Sequence, residues 1–393
     1  MREVKWRLGG VRLLMFTPGP TEVPSRVLLA MARRIQNPDL DEEFYDFYEE
    51  LCGDLKHIMQ TRSDVIIHSG EAIIGLEGAV LSLVEPGEKV LTMTSGVYGD
   101  GFIRFVEAYG GVPVEVRAGY DEVVSPEDVE RTLEREKDVR VATLVHCETP
   151  SGTLNPLKEI GEVCESHGVV LIVDAVSSVG GVPVEVDKWG VDVCIVGSQK
   201  CLSAPPGLGI VSVSGKAWEK MEERKEKVKE FYLNFLTWKE WWLEKREFPY
   251  THSVSLIYAL KEACRMLLEE GLDNVFRRHE RVAKATREAV KAMGLELFPR
   301  EEEYCSATVT AVKIPRGVKD EELREHIMRK YGVMIAGSWG KIAGKVFRLG
   351  HMGYNAQPSK ALQALFALSE TLRDLGFPSR TEEALDAAKS VLY

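Results

Sequence analysis

The sequence predicts an α/β protein in which a mainly parallel sheet is flanked by helices and a smaller α+β domain follows at the C-terminal end. Short apolar runs alternate with amphipathic runs from residue 65 to residue 213, and this alternation is typical of parallel strands joined by helical crossovers. Beyond residue 214 the composition changes to highly charged helical patterns. At 393 residues the chain is also too long for one ordinary hydrophobic core.

Composition and charge narrow the class of protein. The 45% hydrophobic and 28% charged content is typical of a soluble globular protein, and a formal net charge of -11 argues against nucleic acid or an anionic membrane as a general partner. The seven cysteines include no Cys-x-x-Cys pair, so we expect buried free thiols in a reducing compartment. The N-terminal residues lack the apolar core of a signal peptide, and no run approaches about 18 apolar residues. These features predict a cytoplasmic protein.

The elements before the sheet are predicted to be helical. The apolar spacing of residues 25–35 predicts one helix, and a second runs from about residue 41 to residue 59. Ahead of them, the segment Thr-Pro-Gly-Pro-Thr at 17–21 has the composition of a turn whose φ angle is fixed at two prolines.

The alternating region supplies the strands and helices of the sheet. Apolar runs predict strands at 65–68, 89–93, 112–116, 140–146, 168–174, 191–196 and 208–213, with helices at 72–83, after residue 98, at 126–136 and at 157–167. Candidate functional side chains follow five of these strands: Glu71, Tyr98, Thr149, Asp174 and Lys200. Open α/β sheets bind ligands beyond the carboxyl ends of their strands, so we expect these side chains to lie together.

Lys200 and Asp174 are the strongest chemical candidates. Lys200 lies in a tight connection between two apolar runs, where desolvation lowers an ammonium pKa and frees the amine to form an imine; a solvated loop lysine is the alternative. Asp174 closes a continuous apolar run, and a buried carboxylate needs a partner such as a cationic ring nitrogen. Pyridoxal 5'-phosphate (PLP) requires such a pair, a Schiff-base lysine and an aspartate facing its pyridinium nitrogen.

The turn at Ser69-Gly70-Glu71 is a candidate phosphate site. A strand, a glycine turn and a helix start present free backbone amides and a positive dipole end to a phosphate, although an ordinary βα turn has the same pattern. Neither the dinucleotide motif nor the P-loop motif is present here. Glu71 is either a helix-capping residue or an active-site carboxylate, and Tyr98 either stacks on a flat ring or packs in the core.

Histidines and cysteines carry less information. His146 follows an apolar strand without a matching neighbour, which is more typical of a structural residue. The eight histidines show no metal spacing such as His-x-x-x-His, so we predict no metal site. Cys147 has no assignable His and Asn partners and is not predicted to be a nucleophile.

Two long motifs accompany the 17–21 segment: Asp-Ala-Val-Ser-Ser-Val-Gly-Gly at 174–181 and Gly-Ser-Gln-Lys-Cys-Leu-Ser-Ala-Pro-Pro-Gly at 197–207. Together the three resemble the class V aminotransferases of fold type I, and within them the alanine–glyoxylate and serine–pyruvate group. The likeness runs from about residue 15 to about residue 375. Four shorter motifs are most similar to the pyridoxamine–pyruvate branch of this family: residues 68–71, 95–102, 149–152 and 350–353. The residues Gly75-Leu-Glu77, which follow the first of these motifs, belong to the same likeness.

The resemblance implies a PLP-dependent homodimer with assigned site residues. Lys200 would hold the cofactor as a Schiff base and act as general base and acid, while Asp174 keeps the ring nitrogen protonated. Tyr98 would cover the ring. The residues assigned to the cofactor are Ser69, Gly70, Glu71, Tyr98, Thr149, Asp174, Val176, Gln199, Lys200, Tyr250 and Ser253.

Three residues are assigned to the substrate: Gly19, Glu71 and Arg348. Arg348 lies in the apolar strand 345–350, where a guanidinium needs an anion that matches its fork. By resemblance that anion is the substrate carboxylate; an internal salt bridge is the alternative. The pyridoxamine–pyruvate enzyme has a second arginine near the place where this chain has Trp339, and this is a departure from that pattern.

The region after the sheet is predicted to be mostly helical. Residues 216–245 read as a charged helical segment, and the aromatic residues of 231–242 predict a subunit interface, with a membrane-surface belt as the alternative. The segment 248–253 resembles the part of the family fold that reaches across a dimer to the neighbouring phosphate. A helical stretch at 254–293 then leads to strands at 308–314, 333–336 and 346–349 and helices at 319–330 and 358–375.

These elements predict three parts of the chain. Residues 1–20 form an N-terminal segment near the active site, residues 21–253 a large PLP-binding domain, and residues 254–393 a connecting helix with the small domain.

The predicted reaction is transamination between alanine or serine and pyruvate or glyoxylate. The nearest alternative is a pyridoxamine–pyruvate transaminase that uses free pyridoxamine as its amino donor, which Glu71 favours and Trp339 disfavours. A related PLP lyase or desulfurase would need a catalytic cysteine, for which Cys305 is a poor candidate. A non-catalytic binding protein is the remaining alternative.

Overall fold

The computed structural model describes residues 13–393, so the predictions for residues 1–12 lie outside the described residues. The strands are β1 Leu14–Met15, β2 Asp64–Ser69, β3 Lys89–Thr94, β4 Val112–Arg117, β5 Val141–Val145, β6 Cys147–Glu148, β7 Thr153–Leu154, β8 Val170–Asp174, β9 Val193–Gly197, β10 Leu208–Val213, β11 Val309–Lys313, β12 Val333–Met334, β13 Ala336–Gly337 and β14 Val346–Gly350.

The helices alternate with the strands of the first half and predominate in the second. They are α1 Ser25–Ala30, α2 Glu42–Met59, α3 Ile73–Leu83, α4 Val97–Ala108, α5 Pro126–Arg135, α6 Leu157–Ser166, α7 Gly215–Glu222, α8 Phe235–Trp238, α9 Val254–Glu270, α10 Leu272–Ala292, α11 Asp320–Tyr331, α12 Pro358–Asp374 and α13 Thr381–Leu392.

The main sheet has the strand order β2-β10-β9-β8-β5-β3-β4. Strand β10 runs antiparallel to both of its neighbours, and the other pairings are parallel. The central strands β5, β8 and β9 are buried along their whole length, as expected when helices cover both faces of a sheet. The predicted α/β class is confirmed, and the carboxyl ends of the parallel strands meet at one edge.

Local sequence signals explain several helix starts. The Asp41 side chain accepts a hydrogen bond from the Glu43 N–H at the start of α2. Ser125 caps α5 in the same way, with Pro126 in the first turn. These caps satisfy N–H groups that have no partner inside the helix.

A second hydrophobic core lies in the C-terminal part of the chain. Strands β11, β14 and β13 form an antiparallel sheet in that order, and the core packs them against α10, α11, α12 and α13. Leu14 and Phe16 belong to this core as well, and β1 pairs in parallel with β12. The N-terminal segment is therefore attached to the C-terminal part, and the predicted domain division stays a prediction.

The prediction was wrong for several elements after the main sheet. Residues 216–245 are not one helix: α7 ends at Glu222, residues 223–232 are mostly exposed, and only α8 and a π-helical turn at Lys239–Glu244 follow. Acidic and basic residues alternate in that stretch without an apolar stripe that could bury a helix face. The helix predicted at 254–293 is broken at Gly271, whose φ of 82° suits glycine. Helix α13 was not predicted.

The aromatic segment is packed inside the chain itself. Phe235 and Trp238 are completely buried, and Trp242 is 7% exposed. Trp242 stacks on Phe248 with ring centroids 4.9 Å apart. These three side chains complete the core of their own protomer, whereas Phe231 of the same segment is 54% exposed. The subunit-interface prediction is not tested and stays a prediction. Among residues 13–393, no helix is both long enough and apolar enough to span a membrane.

Candidate active site

A cavity of about 290 Å³ opens at the carboxyl edge of the main sheet. Eight residues predicted for the site line it: Gly19, Glu71, Tyr98, Thr149, Asp174, Val176, Gln199 and Lys200. Arg348 does not line the cavity, but its Cζ lies 5.6 Å from the centroid of the Trp339 ring, which does. Ser69, Gly70, Tyr250 and Ser253 lie outside the cavity wall. The strand ends thus bring together most of the predicted residues, and four remain beside the site.

Lys200 lies just beyond the carboxyl end of β9. Its Nζ donates a hydrogen bond to the Pro18 carbonyl at 2.9 Å. Burial lowers the pKa of the Lys200 ammonium, and the nearby Asp174 carboxylate partly offsets this. Lys200 lines the cavity and is half-buried, and its lowered pKa favours the free amine more than a solvated loop position would, so the burial alternative is supported over the solvated loop.

Gly19 allows the N-terminal segment to cover Lys200. A Cβ at this position would lie 2.5 Å from Lys200 Nζ, and the φ of 111° also disfavours other residues. The Thr21 N–H donates to the Gln199 carbonyl at 3.0 Å. The turn composition of 17–21 therefore closes the cavity over the lysine.

Asp174 lies at the end of β8 and is 6% exposed. Its Oδ1 accepts the Val176 N–H at 2.9 Å, and no basic side chain of residues 13–393 hydrogen-bonds to it. Burial raises the pKa of Asp174 to about 6. A buried carboxylate with one hydrogen bond fits a cationic ring N–H in the cavity, which is the partner that PLP provides.

Tyr98 and Thr149 form adjacent parts of the wall. Tyr98 lies in the first turn of α4, and burial raises the pKa of its phenol well above the usual range. The Thr149 hydroxyl lies 2.6 Å from the Ser177 hydroxyl. An aromatic face and a hydroxyl beside the lysine fit a flat ring with a polar substituent.

Glu71 fulfils both alternatives that its position left open. Its Oε2 accepts the Ile73 N–H at 2.8 Å, which caps the start of α3. Its Oε1 accepts the Gln199 Nε2 at 2.6 Å, beside Lys200. Glu71 is therefore a capping residue and a cavity carboxylate at the same time.

The expected phosphate residues lie beside the cavity, at the start of α3. The Ser253 N–H donates to Ser69 Oγ at 3.2 Å, and His252 Nδ1 lies 3.3 Å from the same hydroxyl. Tyr250 stacks on Tyr232 with centroids 4.6 Å apart. These contacts all occur within one chain. The predicted reach of this segment to a neighbouring subunit is not tested and stays a prediction.

Arg348 is 4% exposed on β14. Its Nε donates to the Gly337 carbonyl at 2.7 Å and its Nη1 to the Thr149 carbonyl at 3.4 Å. Burial lowers its pKa to about 10, so it is cationic at neutral pH. Within residues 13–393 it forms no ion pair. The internal salt bridge is thus excluded among these residues, and the charge remains available to an anion.

Glu148 is a site residue that the sequence reasoning missed. It is completely buried, and its carboxylate accepts the N–H groups of Tyr98 at 3.1 Å and Gly99 at 2.6 Å. Burial raises its pKa to about 8. Glu148 therefore fixes the start of α4, and with it Tyr98, from 50 residues further along the chain. The available signal was an acidic residue directly after an apolar strand.

Glu148 predicts a pH effect on stability. In the unfolded chain its pKa is near 4.5, against about 8 in the fold, so the folded protein holds this proton more tightly between those values. The stability of the wild type relative to Glu148→Gln should therefore fall as the pH rises through that window. Thermal unfolding across the window measures it, with the exposed Glu134→Gln as control. Parallel profiles for the wild type and Glu148→Gln would contradict the prediction.

The histidine and the cysteines weighed as reactive candidates are held in unreactive states, although Cys147 lines the cavity. His146 is buried and its Nδ1 lies 3.0 Å from the Ser178 hydroxyl. Burial raises the pKa of Cys147 to about 11 and that of Cys305 to about 11, so both are thiols at neutral pH. Six cysteines are buried and free, and Cys305 is free and half-buried.

The fold and the cavity fit one class of protein: a PLP-dependent enzyme of fold type I, with a lysine, a buried aspartate and an aromatic side chain at the carboxyl edge of the sheet. The family model for class V aminotransferases matches residues 13–359. The chain belongs to this family and is a PLP-dependent aminotransferase.

Its relatives match along almost the whole chain. An uncharacterized aminotransferase of Methanocaldococcus jannaschii is 40% identical, over 98% of this chain and 99% of that protein. The solved pyridoxamine-pyruvate aminotransferase of Mesorhizobium loti is 36% identical with a TM-score of 0.94, covering 97% of each chain. The ureidoglycine-glyoxylate aminotransferase of Bacillus subtilis is 32% identical with a TM-score of 0.93, covering 98% of this chain and 99% of that chain.

Proposed function

We propose that this aminotransferase moves an amino group between a small amino acid, alanine or serine, and a small 2-oxo acid, pyruvate or glyoxylate. The observation that carries this proposal is the placement of Lys200 and Asp174 on one cavity of about 290 Å³, with the unpaired Arg348 next to Trp339 of its wall. Two relatives are named for pyruvate and for glyoxylate as amino acceptors, which supports the same acceptor class here.

Bound PLP supplies an electron sink for the pair of electrons left when the substrate α-carbon loses its proton. Lys200 is proposed to hold the cofactor covalently and, once displaced by the amino donor, to take and return that proton. Its lowered pKa suits this role, because a general base must be partly deprotonated near the working pH. Asp174 holds a proton on the ring nitrogen through charge and hydrogen bonding.

The remaining cofactor contacts are proposed from their positions. Tyr98 covers one ring face, and Val176, Thr149 and Gln199 bound the ring edge. At the phosphate end the N–H groups of Glu71 and Ala72 make no hydrogen bond within residues 13–393, and they lie at the start of α3, where an anion is favoured. We assign the phosphate to this turn and to Ser69, Gly70, Tyr250 and Ser253.

Arg348 is proposed to bind the substrate carboxylate. Two of its donors are held by backbone carbonyls, which fixes the plane of the guanidinium and leaves Nη2 for an anion. Gly19 and Glu71 lie on the same cavity and are proposed to contact the substrate.

A second candidate function is transfer from free pyridoxamine to pyruvate. The 36% identity to a pyridoxamine-pyruvate aminotransferase favours it, as does a carboxylate, Glu71, in the cavity. Trp339 counts against it, because the apolar indole occupies the wall where that pattern has a second arginine.

The assembly, location and domain division are also proposals. Leu29 and Leu40 are 72% and 81% exposed, and covering such apolar side chains would favour a homodimer. Free buried thiols support a reducing, cytoplasmic location. The two separate cores support a large domain at 21–253 and a small one at 254–393.

An absorbance spectrum of the dialysed protein with added PLP tests the proposed function. A band at about 400–430 nm should form and should convert on addition of L-alanine while pyruvate appears. L-Serine replaces L-alanine in a second sample and free pyridoxamine with pyruvate in a third. Efficient turnover of free pyridoxamine alone would favour the second candidate, and no reaction in any sample would overturn both.

A further inference from the structure

Trp339 forms part of the cavity wall beside Arg348. It lines the cavity and is 54% exposed, which is unusual for an indole at such a place. Its ring lies over the Arg348 guanidinium, 5.6 Å from centroid to Cζ. Its ring also meets Tyr98 edge to face, with centroids 6.2 Å apart and planes at 79°. The indole therefore lies at the cavity wall, in contact with the Arg348 guanidinium on one side and with Tyr98 on another.

The backbone around Trp339 is held on both sides. The Ser338 hydroxyl donates to the Pro150 carbonyl at 2.7 Å, and the Gly337 carbonyl accepts from Arg348. Gly340 follows with a φ of 60° and would bring a Cβ to 3.2 Å from Val97. These anchors fix the backbone from which the indole projects, and the indole itself is part of the cavity lining.

The rest of this wall is poorly suited to charge. Pro20, Ile73 and Leu76 line the cavity with apolar groups, and Glu71 adds a carboxylate. Among the lining residues only Lys200 carries a basic side chain. A second carboxylate on a substrate would face apolar groups or Glu71, and a carboxylate left unpaired in such a place is strongly disfavoured.

We propose that Trp339 is the specificity-determining residue of this site. It fills the space beside Arg348, so that the substrate must carry one carboxylate and a short uncharged side chain. This inference rests on the proposed function and narrows its substrate class. Branched and longer amino acids are rejected because the indole occupies the room that their side chains need, and dicarboxylic ones because the wall offers no second cation for their side-chain carboxylate.

The test compares Trp339→Ala and Trp339→Phe with wild-type holoenzyme. We measure kcat/KM for L-alanine, L-leucine and L-glutamate with one 2-oxo acid acceptor. Trp339→Ala should raise the leucine-to-alanine ratio by about 10-fold or more, the range that pocket size controls. Trp339→Phe should stay near the wild-type ratio, and L-glutamate should remain poor in all three. Trp241→Ala, far from the cavity and stacked on Lys245, is the matched tryptophan control.

Binding supplies a readout that does not depend on turnover. Propionate corresponds to L-alanine without its amino group, and 4-methylpentanoate corresponds to L-leucine without its amino group. The dissociation constants of both acids are measured from changes in the absorbance of the holoenzyme. The larger acid should gain affinity in Trp339→Ala relative to the smaller one. Unchanged ratios in both assays, or a wild type that prefers L-glutamate, would overturn the inference. A wild type that forms the PLP band but converts no amino acid would instead overturn the proposed function.

Discussion

Replacing Lys200 with alanine should reduce transamination by about 10,000-fold or more, because the variant loses both the covalent attachment and the group that moves the proton. The band at about 400–430 nm should also be absent when PLP is added. Stability should change little, because Lys200 is half-buried and its Nζ makes one hydrogen bond, to the Pro18 carbonyl.

Lys188→Ala is the matched control, since Lys188 is an exposed lysine paired with Glu185 on the surface. Activity, the absorbance spectrum and thermal unfolding are recorded for both variants. A Lys200→Ala protein that keeps the band and the activity of the control would show that another amine holds the cofactor.

Replacing Asp174 with asparagine should have opposite effects on activity and on stability. Activity should fall by about 100- to 5,000-fold, because removing one partner of a buried charge pair costs about 3–5 kcal/mol. The stability of the protein without cofactor should rise near neutral pH. Burial raises the pKa of Asp174 from 3.8 to about 6, so the wild type loses stability relative to the variant as the pH rises between those values.

Two measurements separate these effects. Thermal unfolding without PLP is measured from a pH below the lower pKa to a pH above the upper one. The stability of the variant relative to the wild type should increase as the pH rises. Adding PLP should stabilise the wild type more than the variant, since bound ligand stabilises by mass action. If asparagine leaves kcat unchanged and gives no pH-dependent difference in stability, Asp174 neither faces a ring nitrogen nor ionises in the fold.

The main sheet and its ligand edge could be predicted because the signals are local. Asp174 and Lys200 each follow a short apolar run, and a strand buried on both faces leaves its first charged residue at the sheet edge. The antiparallel direction of β10 was harder to predict from the sequence. The connection after Lys200 is too short to contain a crossover helix, so β10 pairs antiparallel with β9.

Long-range contacts explain what the sequence did not reveal. Glu148 looks like an ordinary polar residue until the fold places its carboxylate at the start of α4. The contact of Ser253 with Ser69 joins residues 184 positions apart. The aromatic composition of residues 231–242 indicates side chains that need burial, which is why it predicts an interface. Only the tertiary structure shows which residues bury them, as in the stacking of Trp242 on Phe248.

The pairing of β1 with β12 has a consequence for how the protein unfolds. Leu14 bonds to the C-terminal part through the Gly332 carbonyl, Gly350 bonds to the Phe16 carbonyl, and a few residues later Thr21 bonds to the loop that carries Lys200. A single short segment thus belongs to the second hydrophobic core and is hydrogen-bonded to the loop that carries Lys200 in the first part of the chain. Separation of either core must break these bonds, so the two cores should melt cooperatively, in one transition, despite their distinct packing.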